Sequence, residues 1–417
     1  MGAAPATNDA LSPRDEADVR EAVVAALAAN APLEIVGAGT KRALGRPVVA
    51  ARRLALDALA GIALYEPDEL VLRAGATTPL AAVAQALAAH GQMLAFEPPD
   101  LGPLLGAPAG GQTLGGVLAC NLAGPRRIKA GAARDHFLGV RAVSGRAEAF
   151  KAGGRVVKNV TGYDLCKLMA GSFGTLAVMT EATVKVMPAP EKTRTVLASG
   201  LDDARAVAAL AAALNSPHEV SAAAHLPAAV AARSGVSYVA GADAAVTAVR
   251  VEGFDASVVA RCAALRELLA AFGPVEELHR HNSAALWREI ADVAAFRPDA
   301  PLGRGRVVWR LSVPPASGPV ALAAVHAACG GDGYYDWGGG LVWIALDPAD
   351  DAHEPAVRAA IRDCGGHALL VRAPDAVRAA VPVFEPAAAG VAALSARIKD
   401  AFDPARILNP GRMVAGG

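Results

Sequence analysis

The segment Gly110-Gly111-Gln112-Thr113-Leu114-Gly115-Gly116 decides how the rest of this sequence is interpreted. It ends a run rich in Gly and Pro that begins at Pro98. A loop of that length inside a compact domain is usually functional. Glycines let backbone amides approach a ligand closely, and consecutive N–H groups form a nest that binds anions. The segment therefore predicts a site for a ligand that carries phosphate.

Two more glycine segments flank this one, Gly37-Ala38-Gly39-Thr40-Lys41 before it and Gly171-Ser172-Phe173-Gly174-Thr175 after it. The first is not a P-loop, because no Gly-Lys-Ser/Thr follows, and it fails G-x-G-x-x-G because Arg42 stands at the third glycine. Any one of these segments taken alone is equally well explained as a turn. Three of them within 175 residues indicate a nucleotide site that is neither a P-loop nor an ordinary Rossmann domain.

Composition narrows the class of protein. The 417 residues carry 40 Lys+Arg and 40 Asp+Glu, so the basic excess of a nucleic-acid binder is missing. The chain is 53% hydrophobic, yet no run reaches the roughly 20 uninterrupted apolar residues of a membrane span. The N-terminus also lacks a secretory signal. We expect a cytoplasmic protein of two or three domains, without a membrane span.

The residues that usually bind metals are scattered. The histidines show no metal-ligand spacing, and no C-x-x-C occurs among the five cysteines, which are Cys120, Cys166, Cys262, Cys329 and Cys364. We therefore predict no metal site, no disulfide framework and no iron–sulfur cluster on this chain. An iron–sulfur relay, if the function needs one, belongs to another subunit.

The order of helical and strand patterns predicts an α+β fold. The first part alternates both kinds of element up to Pro188-Ala189-Pro190, a proline pair that marks a domain boundary. Beyond it, Ala-rich helices alternate with short strands, which is typical of an α+β domain with an antiparallel sheet. The helices predicted there are 202–214, 256–271, 283–294 and 318–328, and the strands are 248–253, 306–313, 341–345 and 368–371. The domains predicted are 1–190, 191–374 and a C-terminal segment, 375–417.

Four motifs in a fixed order carry a resemblance to a known family. Asn121-Leu122-Ala123-Gly124 and Gly162-Tyr163-Asp164-Leu165 both stand between the second and third glycine segments. The third segment itself continues as GSFGTLAV. The order resembles the FAD-binding domain of the vanillyl-alcohol oxidase / p-cresol methylhydroxylase (PCMH) family over residues 33–188. The resemblance implies an α+β fold, with a two-subdomain PCMH-type FAD-binding domain and an α+β cap domain. It also implies a C-terminal segment that returns to the FAD domain.

Carried over by position, the resemblance implies an FAD site. The first two glycine segments would hold the pyrophosphate, aided by the N-terminus of a helix predicted over 113–122. The flavin would be non-covalent, since no His or Cys stands in 98–111, where some relatives tether the ring. Lys158 and Asn159 would either face the flavin or shape a turn. The residues implied to bind FAD are Val36, Gly37, Ala38, Gly39, Thr40, Lys41, Gly110, Gly111, Thr113, Leu114, Gly115, Gly116, Asn121, Gly124, Thr175, Ala177 and Val178.

A narrower resemblance spans nearly the whole chain. It rests on GGRVVKNVTGYDLCKLMAGSFGTLAV at 153–178, YYDWGGGLVWIA at 334–345 and AFDPARILNPGRM at 401–413. These look like the FAD-binding (E) subunits of the bacterial three-part glycolate oxidases. The family implies an FAD-dependent oxidoreductase that helps convert glycolate, a small 2-hydroxy acid, to glyoxylate. Its partners would be an FAD-containing D-type catalytic subunit and an iron–sulfur subunit, through which the chain would lie peripheral to the inner membrane.

Residues for substrate are less clearly indicated. The guanidinium of arginine can bind a carboxylate through two hydrogen bonds. The weak candidates for contact with substrate are Arg304, Arg310, Tyr334 and Tyr335. For any one of them, a purely structural role is the more frequent outcome. Related D-2-hydroxyacid dehydrogenases carry a His-containing metal motif that is absent from 331–337 here. Two alternatives stay open, a self-sufficient flavin oxidoreductase of a small alcohol or hydroxy acid and a non-catalytic assembly subunit with a flavin fold.

Overall fold

The computed structural model describes residues 10–156 and 162–416. Lys158 and Asn159, predicted to face the flavin or a turn, lie outside the described residues. The α-helices are Glu16–Ala29, Leu80–Ala88, Leu114–Ala119, Arg127–Ala130, Ala133–His136, Leu165–Met169, Asp203–Leu214, Ala228–Ala231, Ser237–Ala240, Asp255–Ala270, Arg280–Ala291, Gly318–Cys329, Glu354–Ile361, Asp375–Ala380 and Ala389–Phe402.

The N-terminal half is built on two main sheets. The smaller is parallel, with the strand order Ala10–Leu11, Arg52–Ala55, Leu33–Val36. The larger is antiparallel, with the order Ile62–Glu66, Val71–Gly75, Ala177–Lys185, Phe137–Ser144, Ala149–Gly153. A short antiparallel pair joins Gln92–Met93 to Met187–Pro188.

The first helix shows how this half is held together. Asp15 caps it, since its Oδ1 accepts a hydrogen bond from the Asp18 N–H at 2.9 Å. Val19 and Val23 recur at helical spacing and are fully buried. They form one core cluster with residues of both sheets, including Leu33 of the parallel sheet. This helix therefore fixes the parallel sheet against the larger one.

The second half is organised by one antiparallel sheet of eight strands, in the order Val275–His279, Lys192–Ser199, Val246–Gly253, Ala222–Leu226, Asp332–Asp336, Leu341–Leu346, Val307–Ser312, His367–Arg372. Alternate residues face opposite sides of a strand. Val196 and Ala198 accordingly join the cluster beneath the helices Asp203–Leu214 and Asp255–Ala270, whereas Leu197 joins the core shared with the N-terminal half. The α+β fold with an antiparallel second sheet is confirmed; the domain limits at 190 and 374 stay predictions.

The C-terminal segment returns to the first sheet. The Leu33 N–H donates to the Ile407 carbonyl at 2.7 Å, and the Asn409 N–H donates to the Leu33 carbonyl at 3.0 Å. Leu408 forms a parallel bridge with Leu33 and is fully buried. The last residues of the chain thus extend the edge of the sheet whose strand Leu33–Val36 leads into the first glycine segment.

A buried ion pair joins the two halves. Arg250, on a strand of the eight-stranded sheet, donates both Nη groups to Glu97 of the N-terminal half, each at 2.8 Å. Arg250 is 2% exposed, and its guanidinium also lies over the Trp287 ring at 4.8 Å. Burial by itself would raise the pKa of Glu97, but Arg250 and then Arg126 outweigh it and hold that pKa below its ordinary value. The carboxylate is therefore charged and bidentate.

Asp336 lies beside this pair and is 2% exposed. Burial raises its pKa to about 7, since the hydrogen bond from the Trp337 N–H and the charge of Arg250 only partly oppose desolvation, and Glu97 adds repulsion. An acid whose pKa is higher in the folded chain than in the unfolded one destabilises the fold once it ionises. Its contribution to stability is complete below about pH 4 and is lost as the pH rises through about 7.

We expect Glu97→Ala to lower the free energy of unfolding by about 3–5 kcal/mol, because the Arg250 charge would stay buried without its partner. Equilibrium denaturation in urea measures this. The matched control is Asp400→Ala, which removes the exposed ion pair with Arg406 and should cost about 1 kcal/mol or less. Equal losses in the two variants would contradict the assignment.

We expect Asp336→Asn to stabilise the chain more at pH 8 than at pH 5, because the amide keeps the hydrogen bond from the Trp337 N–H without burying a charge. One pKa unit corresponds to about 1.4 kcal/mol, so a difference of that order or larger is expected between the two pH values. Thermal unfolding of both proteins across this range tests it, and a pH-independent difference would refute it.

Candidate functional site

A cleft opens where the first and second glycine segments meet. It contains about 780 Å³ of space between its lining atoms, its open mouth included. The structure brings a large part of the predicted FAD-binding set to its wall: Val36, Gly37, Ala38, Gly39, Thr40, Lys41, Thr113, Gly115, Gly116 and Ala177. Residues some 140 positions apart thus share one surface.

The first glycine segment presents unused donors to this cleft. Across the described residues, none of the N–H groups of Gly37 through Lys41 donates a hydrogen bond. Gly39 has φ +73°, a conformation that side-chain-bearing residues seldom adopt and that turns successive amides toward one side. Consecutive free amides of this kind bind anions.

Lys41 adds a buried cation to the same wall. It is 8% exposed, and the hydrogen bond recorded for its Nζ goes to Thr40 Oγ1 at 3.3 Å. Burial lowers its pKa, and Cys120 and Asp100 oppose the shift only in part. No carboxylate among the described residues forms an ion pair with this ammonium, which is costly to bury on its own, so the site is suited to a ligand that brings negative charge. Free amides and an unpaired Lys fit the pyrophosphate of FAD.

Glycine also lets the two segments approach each other. A Cβ added at Gly111, on the second segment, would lie 3.0 Å from Thr40 Cγ2 on the first and would push the segments apart. One added at Gly37 would lie 3.3 Å from Cγ2 of Thr77, which stands just before the helix Leu80–Ala88. The cleft therefore depends on glycine at the contact between the segments as well as at its surface.

The C-terminal tail supports the cleft from behind. Asn409 accepts a hydrogen bond from the Ile35 N–H at 2.8 Å and donates to the Phe173 carbonyl at 2.8 Å. Arg412 donates to the carbonyls of Lys41 and Arg42 at 2.7 and 2.9 Å. Both side chains also reach the cleft wall. The tail thus ties the first glycine segment to the third, which the order of the motifs alone does not reveal.

The helix after the second segment is shorter than predicted. It covers Leu114–Ala119 in place of 113–122, because Cys120 closes it and Asn121 turns to φ +47°. Thr113 caps it, with Oγ1 accepting from the Gly116 N–H at 3.3 Å, and Gly115 donates to the Ala76 carbonyl at 2.7 Å. These two amides are used inside the protein, in contrast to the N–H groups of Gly37 through Lys41.

Other residues predicted to bind FAD do not line this cleft. Leu114 and Val178 are fully buried core residues, and Gly110 donates its N–H to Asp100. The Thr175 carbonyl accepts from Lys399 Nζ at 2.8 Å, and its hydroxyl donates to Ser172. The remaining members, which stay predictions as flavin contacts, are Gly111 against Thr40, Asn121 accepting from the Arg134 N–H, and Gly124 accepting from Trp337 Nε1.

The four substrate candidates lie in different environments. Arg304 is exposed on the surface. Tyr334 and Tyr335 are buried with satisfied hydroxyls, which donate to the Ile290 carbonyl at 2.8 Å and to Asp203 Oδ2 at 2.7 Å. Arg310 lines a second cavity, which shares Cys120 and Phe173 with the cleft. Only Arg310 among the four thus adjoins the candidate flavin site.

Several cleft residues were not predicted from the sequence. They are Ile35, Arg42, Leu56, Ala76, Thr77, Ala119 and Met179. Five of them are apolar and carry no motif of their own: Ile35, Ala119 and Met179 lie in strands or a helix, and Leu56 and Ala76 directly follow strands. The two polar members have structural partners, since the Arg42 guanidinium donates to Glu34 and the Thr77 hydroxyl donates to the Leu56 carbonyl.

Within 10–156 and 162–416, no group of three or more His, Cys, Asp and Glu side chains is arranged to hold a metal ion. No helix in the same residues combines the length and apolar character needed to cross a membrane.

Sequence comparison agrees with the geometry. Residues 10–153 match the family described as FAD binding domain. Over 95% of its length the chain is 33% identical to glycolate oxidase subunit GlcE of Escherichia coli, of which 96% is covered. The chain belongs to the GlcE family. It is therefore an FAD-dependent oxidoreductase of the PCMH type, and its cofactor is FAD.

Other matches cover only part of the sequence or rest on structure alone. Glycolate oxidase subunit GlcD of Bacillus subtilis is 43% identical over 86 residues, which is 21% of this chain and 18% of that protein. The 4-ethylphenol oxidase of Gulosibacter chungangensis superposes with a TM-score of 0.70 at 15% identity, covering 97% of this chain and 88% of the oxidase. An alkyldihydroxyacetonephosphate synthase superposes with a TM-score of 0.66 at 16% identity, covering 96% of this chain and 76% of the synthase. These structural likenesses show the fold alone.

We expect Lys41→Met to weaken FAD binding about tenfold or more, because a charge-assisted hydrogen bond is worth about 1.5–3 kcal/mol. The flavin-free variant should be at least as stable as the parent, because a buried unpaired charge is removed. Fluorescence titration of FAD and thermal unfolding measure the two effects, with the exposed Lys129→Met as control. Unchanged FAD affinity would remove Lys41 from the site.

Gly115 is unsuitable for this test, since an added Cβ would lie 2.7 Å from the Ala76 carbonyl oxygen and would disturb folding.

Proposed function

We propose that this chain is the FAD-binding subunit of a glycolate-oxidising complex. In this role it takes part in the conversion of glycolate to glyoxylate, and electrons pass through its flavin to partner subunits. The observation that carries the proposal is the match to GlcE along 95% of the chain. The cleft supports it, because its free amides and Lys41 suit a dianionic dinucleotide.

Some residues of the chain would bind FAD directly, and others would hold the binding segments in place. The amides of Gly37 through Lys41 would bind the pyrophosphate, with Lys41 supplying a positive charge from within the wall. Asn409 and Arg412 would keep the segments in place through their hydrogen bonds to backbone. Once bound, FAD supplies an acceptor for the two electrons that leave the alcohol carbon of the substrate. Cys120 and Phe173 stand where the cleft meets the second cavity.

The partners we propose are an FAD-containing D-type catalytic subunit and an iron–sulfur subunit. The name of the E. coli relative calls it a subunit, which supports assembly with other chains. The cysteines of this sequence stand singly, so we assign the iron–sulfur centre to a partner. Through these partners the complex would reach the inner membrane.

The test is reconstitution of the three subunits with the parent chain or with Lys41→Met. We expect the parent complex to transfer electrons from glycolate to a dye. The variant should assemble equally well by gel filtration but lose activity in proportion to its lost FAD.

Two outcomes would contradict the proposal. Full activity with a flavin-depleted chain would favour a non-catalytic assembly subunit. Glycolate turnover by the chain alone, at the rate of the complex, would favour a self-sufficient oxidoreductase. Lys129→Met serves as the matched control for assembly.

A further inference from the structure

We propose that the cavity around Arg310 binds the carboxylate of a small 2-hydroxy acid, so that this chain carries a substrate site of its own. The inference rests on the proposed function and deepens it, because it places carboxylate recognition on this subunit. It is carried by the position of the cavity, by the orientation of Arg310 and by the lack, among residues 10–156 and 162–416, of a group that neutralises this arginine.

The cavity adjoins the flavin cleft. It contains about 520 Å³ of space between its lining atoms, its opening included, and it shares Cys120 and Phe173 with the cleft. A ligand in this cavity would therefore lie beside two side chains that also line the cleft. That is the position from which a small substrate could meet a flavin ring.

The sheet aims Arg310 into this cavity. Arg310 lies on the strand Val307–Ser312, directly opposite Trp343 on one neighbouring strand and Leu369 on the other. Side chains that are directly opposite in a sheet share a face, and both of these neighbours line the cavity with Arg310. The preceding residue, Trp309, points to the other face, where its Nε1 donates to the Ala352 carbonyl at 2.8 Å. The direction of Arg310 is thus set by strand register.

No group in the described chain satisfies this guanidinium. Arg310 is half-buried and makes no side-chain hydrogen bond or ion pair with the described residues, although desolvation lowers its pKa to about 10. The fully buried arginines of the described chain are satisfied. Arg250 is held by Glu97, Arg378 by Asp375 and the Gly45 carbonyl, and Arg412 by two carbonyls. Arg310 differs from them because it lines a cavity and has no hydrogen-bond or ion-pair partner among the described residues.

The surrounding charges favour an anion. Arg127 lies close enough to lower the pKa of Arg310 further, and its own guanidinium stacks over the Trp337 ring at 4.7 Å. The one carboxylate on the cavity wall, Glu385, is bound by Arg358 and by the Ala368 N–H at 2.9 Å. His367, on the same wall, has its pKa lowered by burial and then by Arg310, so it is neutral near pH 7. The carboxylate of the wall is therefore already held by Arg358, and none of the described residues pairs with Arg310.

The chemistry of the wall indicates the class of ligand. A guanidinium matches a carboxylate bidentately, and a buried unpaired charge gains most from a ligand that neutralises it. The remaining wall is largely apolar, with Leu101, Leu122 and Phe384 among its residues. A short monocarboxylate can place its charged end on Arg310 and its small carbon skeleton against these side chains.

The test measures binding, which is independent of turnover. Glycolate is titrated calorimetrically and without oxygen into the FAD-loaded chain, and ethylene glycol, which lacks the carboxylate, is the matched probe. We expect glycolate to bind and ethylene glycol not to bind. Arg310→Met should weaken glycolate binding about tenfold or more, and Arg310→Lys should recover part of the loss because it keeps the charge without the fork.

The control variant is Arg304→Met, which removes an exposed arginine a few residues away and should leave glycolate binding unchanged. FAD content, read from the visible spectrum, should stay at the parent value in all three variants. Should Arg310→Met lose FAD or fail to fold, Arg310→Lys decides the question by itself, and glycolate binding equal to that of the parent would then overturn the inference.

Failure of this inference is distinguishable from failure of the proposed function. A parent chain that holds FAD but binds no glycolate would overturn the Arg310 site and leave the flavin subunit role intact. The subunit role fails instead when the reconstituted complex does not depend on the flavin of this chain.

Discussion

The bidentate contact between Arg250 and Glu97 fixes the two halves of this protein relative to each other. Glu97 stands in the N-terminal half and Arg250 on the eight-stranded sheet, and both Nη–Oε distances are 2.8 Å. Gly124 packs so closely on the Glu97 carbonyl that an added Cβ would lie 2.2 Å away, and Trp337 of the second half donates to the Gly124 carbonyl. The pair therefore sets how the sheet that carries Arg310 sits beside the flavin cleft.

The cation at this junction is paired with a carboxylate, whereas the cations at the site are not. At the junction, a deep arginine meets a carboxylate, so the cost of burial is offset within the chain. At the cleft and the neighbouring cavity, Lys41 and Arg310 are cations for which the described residues supply no carboxylate. A chain with balanced overall charge can thus bind anionic ligands, because the charge is unpaired locally and the rest of the binding comes from backbone amides.

Sequence patterns predicted much of the architecture. The four helices expected beyond residue 190 occur within about three residues of their predicted limits, because alanine has the highest intrinsic helix propensity and these segments are rich in it. The strand Ala222–Leu226 was not predicted, since its three alanines have low strand propensity, and it exists because strands pair with it on both sides. In the same way, glycine spacing indicated the first two segments of the cleft, whereas neither Arg310 nor the buried tyrosines could be sorted by residue type.

By itself, the sequence determined which backbone could bind an anion, because glycine at Gly37 and Gly39 acts locally, through close approach and positive φ. It also determined the family, because its motifs stand in a fixed order. Only the tertiary structure decided which donors are free and which cations are unpaired. Gly115 and Gly116 carry the same motif signal as Gly39, yet their amides bond inside the protein. Whether a donor or a charge is satisfied depends on groups far away in the chain, such as Glu97 for Arg250, and no local pattern contains that information.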